Sequence, residues 1–177
     1  RSTSVTISED STITVCLPVS DPDGVSILPT PCGGPSHGTI NTWSVSGNSV
    51  CITYTPTLNY NGKDTLCVIV CDNGSPNKCD TGHVYINILP VNDPPVVPDT
   101  SVTIPEDSTI TVCLPVSDPD GVSILPTPCG GPSHGTINTW SVSGNSVCIT
   151  YTPALNYNGK DTLCVIVCDN GSPNKCD

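Results

Sequence analysis

The chain has 177 residues and a formal net charge of −11, with only five Lys and Arg residues. This length suits one or two domains, and the scarcity of basic residues excludes a nucleic-acid-binding surface. No apolar run reaches the roughly 18 residues of a membrane span, so the sequence predicts no membrane insertion. The twelve cysteines form an even set, which favours disulfide bonds and a location outside the cytosol.

The predicted strands show a two-residue alternation of apolar side chains, and Pro, Gly, Asn and Asp separate them. In chain order the apolar faces carry Ile13, Val15 and Leu17; Ile52 and Tyr54; Leu66, Val68 and Val70; and Val84, Ile86 and Ile88. No stretch keeps a helical period over three turns. The pattern therefore predicts an all-β fold of the β-sandwich type.

The sequence repeats itself at an offset of 97 residues. Between residues 3–80 and 100–177 the copies differ only at Ser8/Pro105 and Thr57/Ala154. Such identity indicates a recent duplication, and arrays of folded units extend the reach of a protein. We predict one repeat over residues 1–94 and a second over 95–177. A stiff, proline-rich linker is expected at about residues 90–98.

The second repeat has no counterpart of residues 81–89, so it is predicted to lack its last strand. Two explanations remain open. We favour the first, in which the sequence is an excerpt of a longer chain. In the second, a neighbouring subunit donates the strand, as in donor-strand complementation.

Five motifs resemble the bacterial cadherin-like tandem repeats of very large surface and secreted proteins, many from Bacteroidetes-type bacteria. They are "SEDSTITVCLPVSDPDG", "HGTI", "ITYTPTLNYNGKDTL", "VCDNGSP" and "INILPVNDPPV". The resemblance implies two tandem cadherin-like or Ig-like Greek-key β-sandwiches. It also implies an extracellular location on the bacterial surface and a role in adhesion or surface assembly.

Cadherin-type repeats bind calcium between consecutive domains, and the resemblance implies a calcium site here. Its ligands would be Glu9, Asn92, Asp93, Asp118, Asp120 and Asp169. The D-R-E element of animal cadherins is replaced by "NYNGKD", which offers Asn59, Asn61 or Asp64 instead. Oxygen ligands of this kind suit Ca²⁺. The alternative is that these residues only form turns and cap the linker.

The Ig-like strand order would make neighbours of the strands that carry the cysteines. The disulfides expected from it are Cys16–Cys51, Cys32–Cys67 and Cys71–Cys79, repeated as Cys113–Cys148, Cys129–Cys164 and Cys168–Cys176. The rival is a zinc site that begins at Cys67 and Cys71. Zinc sites usually combine a closely spaced cysteine pair with a second pair or with histidines.

Two further motifs concern catalysis and modification. "GPSHG" at residues 34–38 matches the G-x-S-x-G nucleophile elbow, but that motif needs a following helix, so we interpret it as a turn and predict no enzyme. Asp-Thr-Leu and Asp-Ser-Thr resemble the O-glycan acceptors of Bacteroidetes-type bacteria. The acceptors would be Thr65, Thr162, Ser11 and Ser108.

The sequence thus favours a structural repeat of an extracellular bacterial adhesin or filament, a disulfide-stapled spacer. Its partners would be further copies of the repeat or neighbouring subunits, with glycans as a further candidate. The alternative is a module that binds a carbohydrate or a partner through residues 37–49, with Trp43 exposed.

Overall fold

The computed structural model describes residues 2–22, 28–121 and 123–177. Within these ranges the chain forms strands, turns and bends, and no helix is present. The chain divides into two compact units, Arg1–Val91 and Asn92–Asp177, and each is described by itself. In the part of the chain that the structure describes, no helix is long and apolar enough to cross a membrane.

The first unit is a sandwich of two sheets. One sheet has the strand order β1-β7-β6-β3, and the other has the order β2-β5-β4. The strands are β1 (Ser2–Ser8), β2 (Ile13–Pro18), β3 (Leu28–Gly33), β4 (Gly38–Ser46), β5 (Ser49–Pro56), β6 (Gly62–Cys71) and β7 (Cys79–Leu89). The inner faces of the two sheets enclose the core, which confirms the predicted β-sandwich.

Strand β7 lies between β1 and β6. It pairs in parallel with β1, from Ser2 opposite His83 to Ser8 opposite Leu89, and antiparallel with β6. Its inward residues Val84, Ile86 and Ile88 are at most 2% exposed. The predicted alternation of this strand is therefore confirmed, and the strand closes the sheet over the core.

The second unit has five strands among its described residues. They are β8 (Ile110–Pro115), β9 (Leu125–Gly130), β10 (Gly135–Ser143), β11 (Ser146–Pro153) and β12 (Cys164–Cys168), in sheets β10-β11-β8 and β12-β9. Residues 99–105, which repeat the β1 sequence apart from Asp99 and Pro105, form no strand. In the first unit β1 pairs with β7, whereas the described residues of the second unit include no strand equivalent to β7.

The core of the second unit is correspondingly open. Eleven buried apolar residues form the core of the first unit, but only four described residues form that of the second. Leu163 and Val165 are half-buried, whereas their counterparts Leu66 and Val68 are 1% exposed. The same side chains are therefore better buried in the first unit, where β7 contributes to the core.

Six disulfides join the pairs that the Ig-like strand order predicts, so every cysteine is bonded. Cys16 and Cys51 lie directly opposite each other on β2 and β5, with their Cα atoms 4.0 Å apart. Cys71 and Cys79 close the β6–β7 hairpin. The bridges therefore lock strand pairs that already share a ladder, and they leave no thiols for the rival zinc site.

We expect the bridges to differ in their contribution to stability because they close loops of different length. The Cys16–Cys51 pair is separated by 35 residues and the Cys71–Cys79 pair by 8. Loop-closure entropy then predicts a loss of about 4 kcal/mol for C16S/C51S and about 2.5 kcal/mol for C71S/C79S. Denaturant unfolding followed by Trp43 fluorescence, with Trp140→Phe in the background, measures both losses for the first unit. A hairpin bridge that contributed as much as the longer loop would contradict this account.

Candidate functional site

One end of the second unit gathers acidic residues from three separate segments. Asp93 belongs to the stretch that begins the unit, Asp118 and Asp120 follow β8, and Asp169 follows β12. The start of the unit connects them, because Asn92 donates to Asp169 and Asp93 donates to Asp120. We call Asn92, Asp93, Asp118, Asp120 and Asp169 the acidic cluster.

Backbone hydrogen bonds fix the carboxylates of this cluster. The Asp93 N–H donates to Oδ2 of Asp120 at 2.6 Å, and the Asp120 N–H donates to Oδ1 of Asp118 at 2.8 Å. Carboxylate oxygens of Asp93 and Asp120 lie within 4.8 Å of each other. These hydrogen bonds from backbone N–H groups to carboxylates hold Asp93 against the turn after β8.

Asp169 is fully buried in the turn that follows β12. Its Oδ1 accepts hydrogen bonds from the N–H groups of Gly171 (2.9 Å) and Lys175 (3.0 Å), and its Oδ2 accepts one from the Asn92 amide at 2.7 Å. Burial opposes ionisation, but these hydrogen bonds outweigh it and lower the pKa of Asp169. The residue therefore stays a carboxylate at neutral pH.

Gly171 is required at this turn. A Cβ atom built on it would overlap the side-chain amide of Asn92. The close approach lets Asn92 reach both Asp169 and the carbonyl oxygen of Pro173, which accepts from the Asn92 amide at 2.9 Å. Asn92 thus fastens the start of the second unit to the body of its sandwich.

The turn bond to Asp120 uses only one carboxylate oxygen of Asp118. Oδ2 of Asp118 is buried and, among the described residues, has no hydrogen-bond partner. A buried carboxylate oxygen without a donor is costly, and buried charges in proteins are normally paired or coordinate metals. Oxygen atoms from several aspartates are the ligands that Ca²⁺ prefers. The cluster therefore fits the cation that the resemblance implies.

Glu9, another acidic residue of that prediction, belongs to the first unit. It is buried, with 3% of its surface exposed. Its N–H donates to the carbonyl of Leu89 at 2.9 Å, and its Oε1 accepts from the Val91 N–H at 2.5 Å. In the first unit Glu9 therefore secures the chain just after β7.

Asn59 and Asp64 have other roles in the structure. Asn59 adopts a left-handed conformation with φ 56°, and its N–H donates to Asp10 at 2.9 Å in a turn. Asp64 is buried and accepts hydrogen bonds from the N–H groups of Ser36 (2.8 Å), His37 (2.9 Å) and Thr65 (2.8 Å). Both of its oxygens are thus engaged within the protein.

The hydroxyl of Tyr54 completes this arrangement, which we call the Asp64 hub. Tyr54 is fully buried and donates to Oδ2 of Asp64 at 2.8 Å. Burial opposes ionisation of Asp64, but the four hydrogen bonds outweigh it and lower its pKa. Burial and the neighbouring carboxylate raise the pKa of Tyr54. The hub joins β5, β6 and the turn before β4 inside the sandwich.

Replacing Asp64 by Asn should destabilise the first unit by about 2 kcal/mol at pH 7, because an amide cannot accept from all four donors. The folded-state pKa of Asp64 is lowered, so its contribution is present above its unfolded pKa and is lost as the pH falls through the folded value. Urea unfolding of the wild type and Asp64→Asn should therefore differ at pH 7 and converge in strong acid.

The matched control is Asp161→Asn, since Asp161 holds the same bonds in the second unit but is more exposed. We expect a smaller loss of unfolding free energy in the second unit. Trp140 fluorescence measures this loss, with Trp43→Phe in the background. An equal loss in both units, or a pH-independent difference at Asp64, would rule out this explanation.

The other predicted residues lie in separate places. Thr65 and Thr162 are exposed, whereas the hydroxyls of Ser11 and Ser108 donate to the carbonyls of Glu9 and Glu106.

In "GPSHG" the chain turns directly into β4, and the ring of His37 stacks on Tyr60 with 4.0 Å between centroids. Trp43 is half-buried and packs against the core of the first unit. The exposed Trp43 that the alternative binding module requires is therefore not found.

A family comparison agrees with this geometry. The sequence model of the bacterial Ig domain matches residues 1–87 and again residues 92–175. The chain belongs to the bacterial Ig domain family. These two bacterial Ig domains account for nearly the whole chain, and folds of this kind are typical of non-catalytic domains. Disulfide-rich Ig domains are also typical of extracellular proteins. No curated protein matches the chain.

Solved structures show the same sandwich in cadherins. The extracellular cadherin domains 1–5 of Protocadherin Gamma B2 are 20% identical with a TM-score of 0.57, over 99% of this chain and 36% of that chain. Human CDH23 EC21-23 is 17% identical with a TM-score of 0.50, over 98% and 58%. At such identities the likeness shows the fold alone.

A third similar structure is an endo-fucoidan hydrolase from glycoside hydrolase family 107, which is 16% identical with a TM-score of 0.45. The match covers 98% of this chain and 26% of that chain, and at this TM-score it carries no argument about activity. The bacterial Ig domains span less than two thirds of each of these structures.

Proposed function

We propose that the chain is a structural repeat of an extracellular bacterial surface adhesin or filament, and that it acts as a disulfide-stapled spacer. The observation that carries the proposal is the near identity of two tandem Ig domains, each with its own three disulfides. Repetition of one folded unit adds length and does not diversify a binding surface. The partners proposed for it are further copies of the repeat or neighbouring subunits.

Calcium is the second part of the proposal. The ligands proposed in the second unit are Asp93, Asp118 and Asp120, and the supporting observation is the buried Oδ2 of Asp118 without a protein donor among the described residues. The ion would neutralise carboxylates that otherwise repel one another. It would also bind Asp93, at the start of the unit, to the turn after β8. Asp64 is left out of the proposed ligand set because both of its oxygens accept hydrogen bonds from protein donors.

We expect calcium to raise the unfolding midpoint of the second unit, because an ion that binds only the folded state stabilises it. At about 100 times the dissociation constant the gain is about 2.7 kcal/mol. Thermal unfolding followed by Trp140, with Trp43→Phe in the background, measures this gain with calcium and with chelator. The gain should disappear in Asp118→Asn.

The control is Asp99→Asn, which removes the same charge from an exposed position of the second unit. It should keep the calcium response. A response that survives Asp118→Asn, or one that Asp99→Asn removes equally, would show that the ion is not bound at the acidic cluster.

The spacer and the carbohydrate-binding module differ in where Trp43 lies. Trp43 packs against the core, which supports the spacer. We therefore expect antibodies against this chain to label intact source cells. We also expect the purified chain to bind no glycan on an array of bacterial and algal polysaccharides. Labelling only after permeabilisation would refute a surface role, and glycan binding that Trp43→Ala abolishes would favour the alternative.

O-glycans belong to the same proposal at Thr65 and Thr162, whose side chains are exposed on the outer face. The hydroxyls of Ser11 and Ser108 are engaged with backbone carbonyls, so they are weaker acceptors. Mass spectrometry of the protein purified from its source cells tests this, and unmodified Thr65 and Thr162 would refute it.

A further inference from the structure

The strand β4 forms an edge of its sheet in the first unit, and β10 forms the same edge in the second. Among the described residues β4 pairs with β5 alone, and β10 pairs with β11 alone. The two strands share the sequence GTINTWSVS and the same burial pattern. The chain therefore carries the same open sheet edge twice.

The backbone groups that face the open side of β4 belong to Trp43 and Val45. The Cα atoms of Cys16 and Cys51 are only 4.0 Å apart, which is the close spacing of a non-hydrogen-bonded pair. Cys51 therefore directs its N–H and C=O groups towards β4, where its partner is Ser44. Because these groups alternate along a strand, those of Trp43 and Val45 point away from β5.

The side chains of this edge leave apolar surface uncovered. Trp43 is half-buried against the core of the first unit, and Val45 lies on the same face of the strand but is 48% exposed. In the second unit Val142 is 50% exposed. A strand added along this edge would cover the exposed apolar side chain as well as satisfy the open backbone groups.

Two other edge strands of the first unit contain proline, which opposes pairing with a further strand. β3 contains Pro29 and Pro31, and β2 ends at Pro18. β4 has neither a proline nor a charged residue. It is also regular over residues 42–46, because its bulge lies before Thr42. Nothing in the sequence of β4 therefore blocks an added strand.

The distribution of charge indicates which partner fits this edge. Residues 24–62 contain no Asp, Glu, Lys or Arg, and the same holds for residues 121–159. The whole chain nevertheless carries a net charge of −11. Two copies of the chain repel each other where acidic surfaces meet, but not along β4 or β10. An uncharged edge on an acidic protein thus suits a second copy of that protein.

The strand is also complementary to itself. Two copies of one strand form an antiparallel pair about a two-fold axis, and each residue then contacts its symmetry partner. With the axis at Ser44, Trp43 of one copy lies opposite Val45 of the second copy. An aromatic residue opposite a β-branched residue is a favourable cross-strand pair. The outward N–H and C=O groups of the same two residues become hydrogen-bond partners.

We propose that β4 is a self-association edge, which pairs antiparallel about Ser44 with the same strand of a second copy of the chain. β10 pairs in the same way about Ser141, and the identical sequences let either strand serve in the second copy. The inference supplies a surface for the further copies named in the proposed function, and it rests on that function only in this respect. It depends on neither calcium nor the acidic cluster.

Sedimentation velocity in the presence of chelator tests the association. The average mass of the wild type should rise with protein concentration, because one short strand pair gives a weak and reversible contact. Val45→Lys/Val142→Lys should stay monomeric, since an inward-pointing charge blocks pairing at a sheet edge. The matched control is Leu58→Lys/Leu155→Lys, which adds the same charges at exposed leucines outside β4 and β10. It should associate like the wild type.

Cysteine crosslinking tests the register. With the axis at Ser44, this residue lies opposite its own counterpart as a close non-hydrogen-bonded pair, the arrangement of the disulfide between β2 and β5. Ser44→Cys/Ser141→Cys should therefore form disulfide-linked dimers and larger species under mild oxidation. Ser46→Cys/Ser143→Cys should not, because its cysteines would lie roughly 13 Å apart along the paired strands.

Four results would overturn the inference. They are a wild type that stays monomeric at every concentration, a Val45→Lys/Val142→Lys variant that associates like the wild type, equal loss in both lysine variants, and equal crosslinking of both cysteine variants. Tryptophan fluorescence checks that each variant is folded, and if the edge lysine variant is not, the cysteine variants decide. Surface labelling without association would refute only this edge, whereas association without labelling would refute only the surface role.

Discussion

The pairing of β7 with β1 on one edge and β6 on the other is the constraint on which the rest of the sandwich depends. It joins the beginning and the end of one repeat in a single sheet. Its effect reaches the opposite sheet, because Val15 and Leu17 on β2 are buried in the first unit while Val112 and Leu114 on β8 are not. Closing one sheet therefore excludes water from the inner face of the other, as expected for a core only two layers thick.

The Asp64 hub does not depend on that strand. In the second unit Asp161 keeps its bonds to the N–H groups of Ser133 and His134, both 2.9 Å, and to the Tyr151 hydroxyl, 2.8 Å. Only the burial of these groups decreases. The hub is set by β5, the turn before β4 and the chain near β6, whereas the solvent exclusion that strengthens its hydrogen bonds comes from β7. The hydrogen bonds of the hub therefore form without β7, whereas the burial of the hub depends on it.

Much of this architecture follows from the sequence. Period-two alternation identifies the inner faces of β2, β5, β6 and β7, and residues opposite each other on neighbouring strands explain the cysteine pairs. The Asp64 hub also has a signal in the sequence, because Asp64 shares the inward face of Leu66 and a buried Tyr54 needs a partner. The cadherin-like motif hides that signal, since the position of Asp64 within it suggests a calcium ligand.

Two strands have no adequate local signal. β1 is short and mostly polar, and its parallel partner lies about 80 residues away, so only the assembled sheet reveals it. β3 carries Pro29 and Pro31, which argue against a strand in a sheet centre. The structure places β3 at a sheet edge, where one side needs no donors. Non-local pairing decides both cases, and no pattern within either segment specifies its partner.

The acidic cluster shows why stabilising a turn and binding a cation are not exclusive roles for an aspartate. Oδ1 of Asp118 accepts from the Asp120 N–H and so forms an ordinary turn, while its Oδ2 is buried without a donor among the described residues. Asp169 repeats the turn bonds of Asp72, and the bond from Asn92 is added to them. A carboxylate has two oxygens, so one can fix the backbone while the other faces a shared centre. The turn bonds hold these carboxylates in place, and that preorganisation is what a cation site built on loops requires.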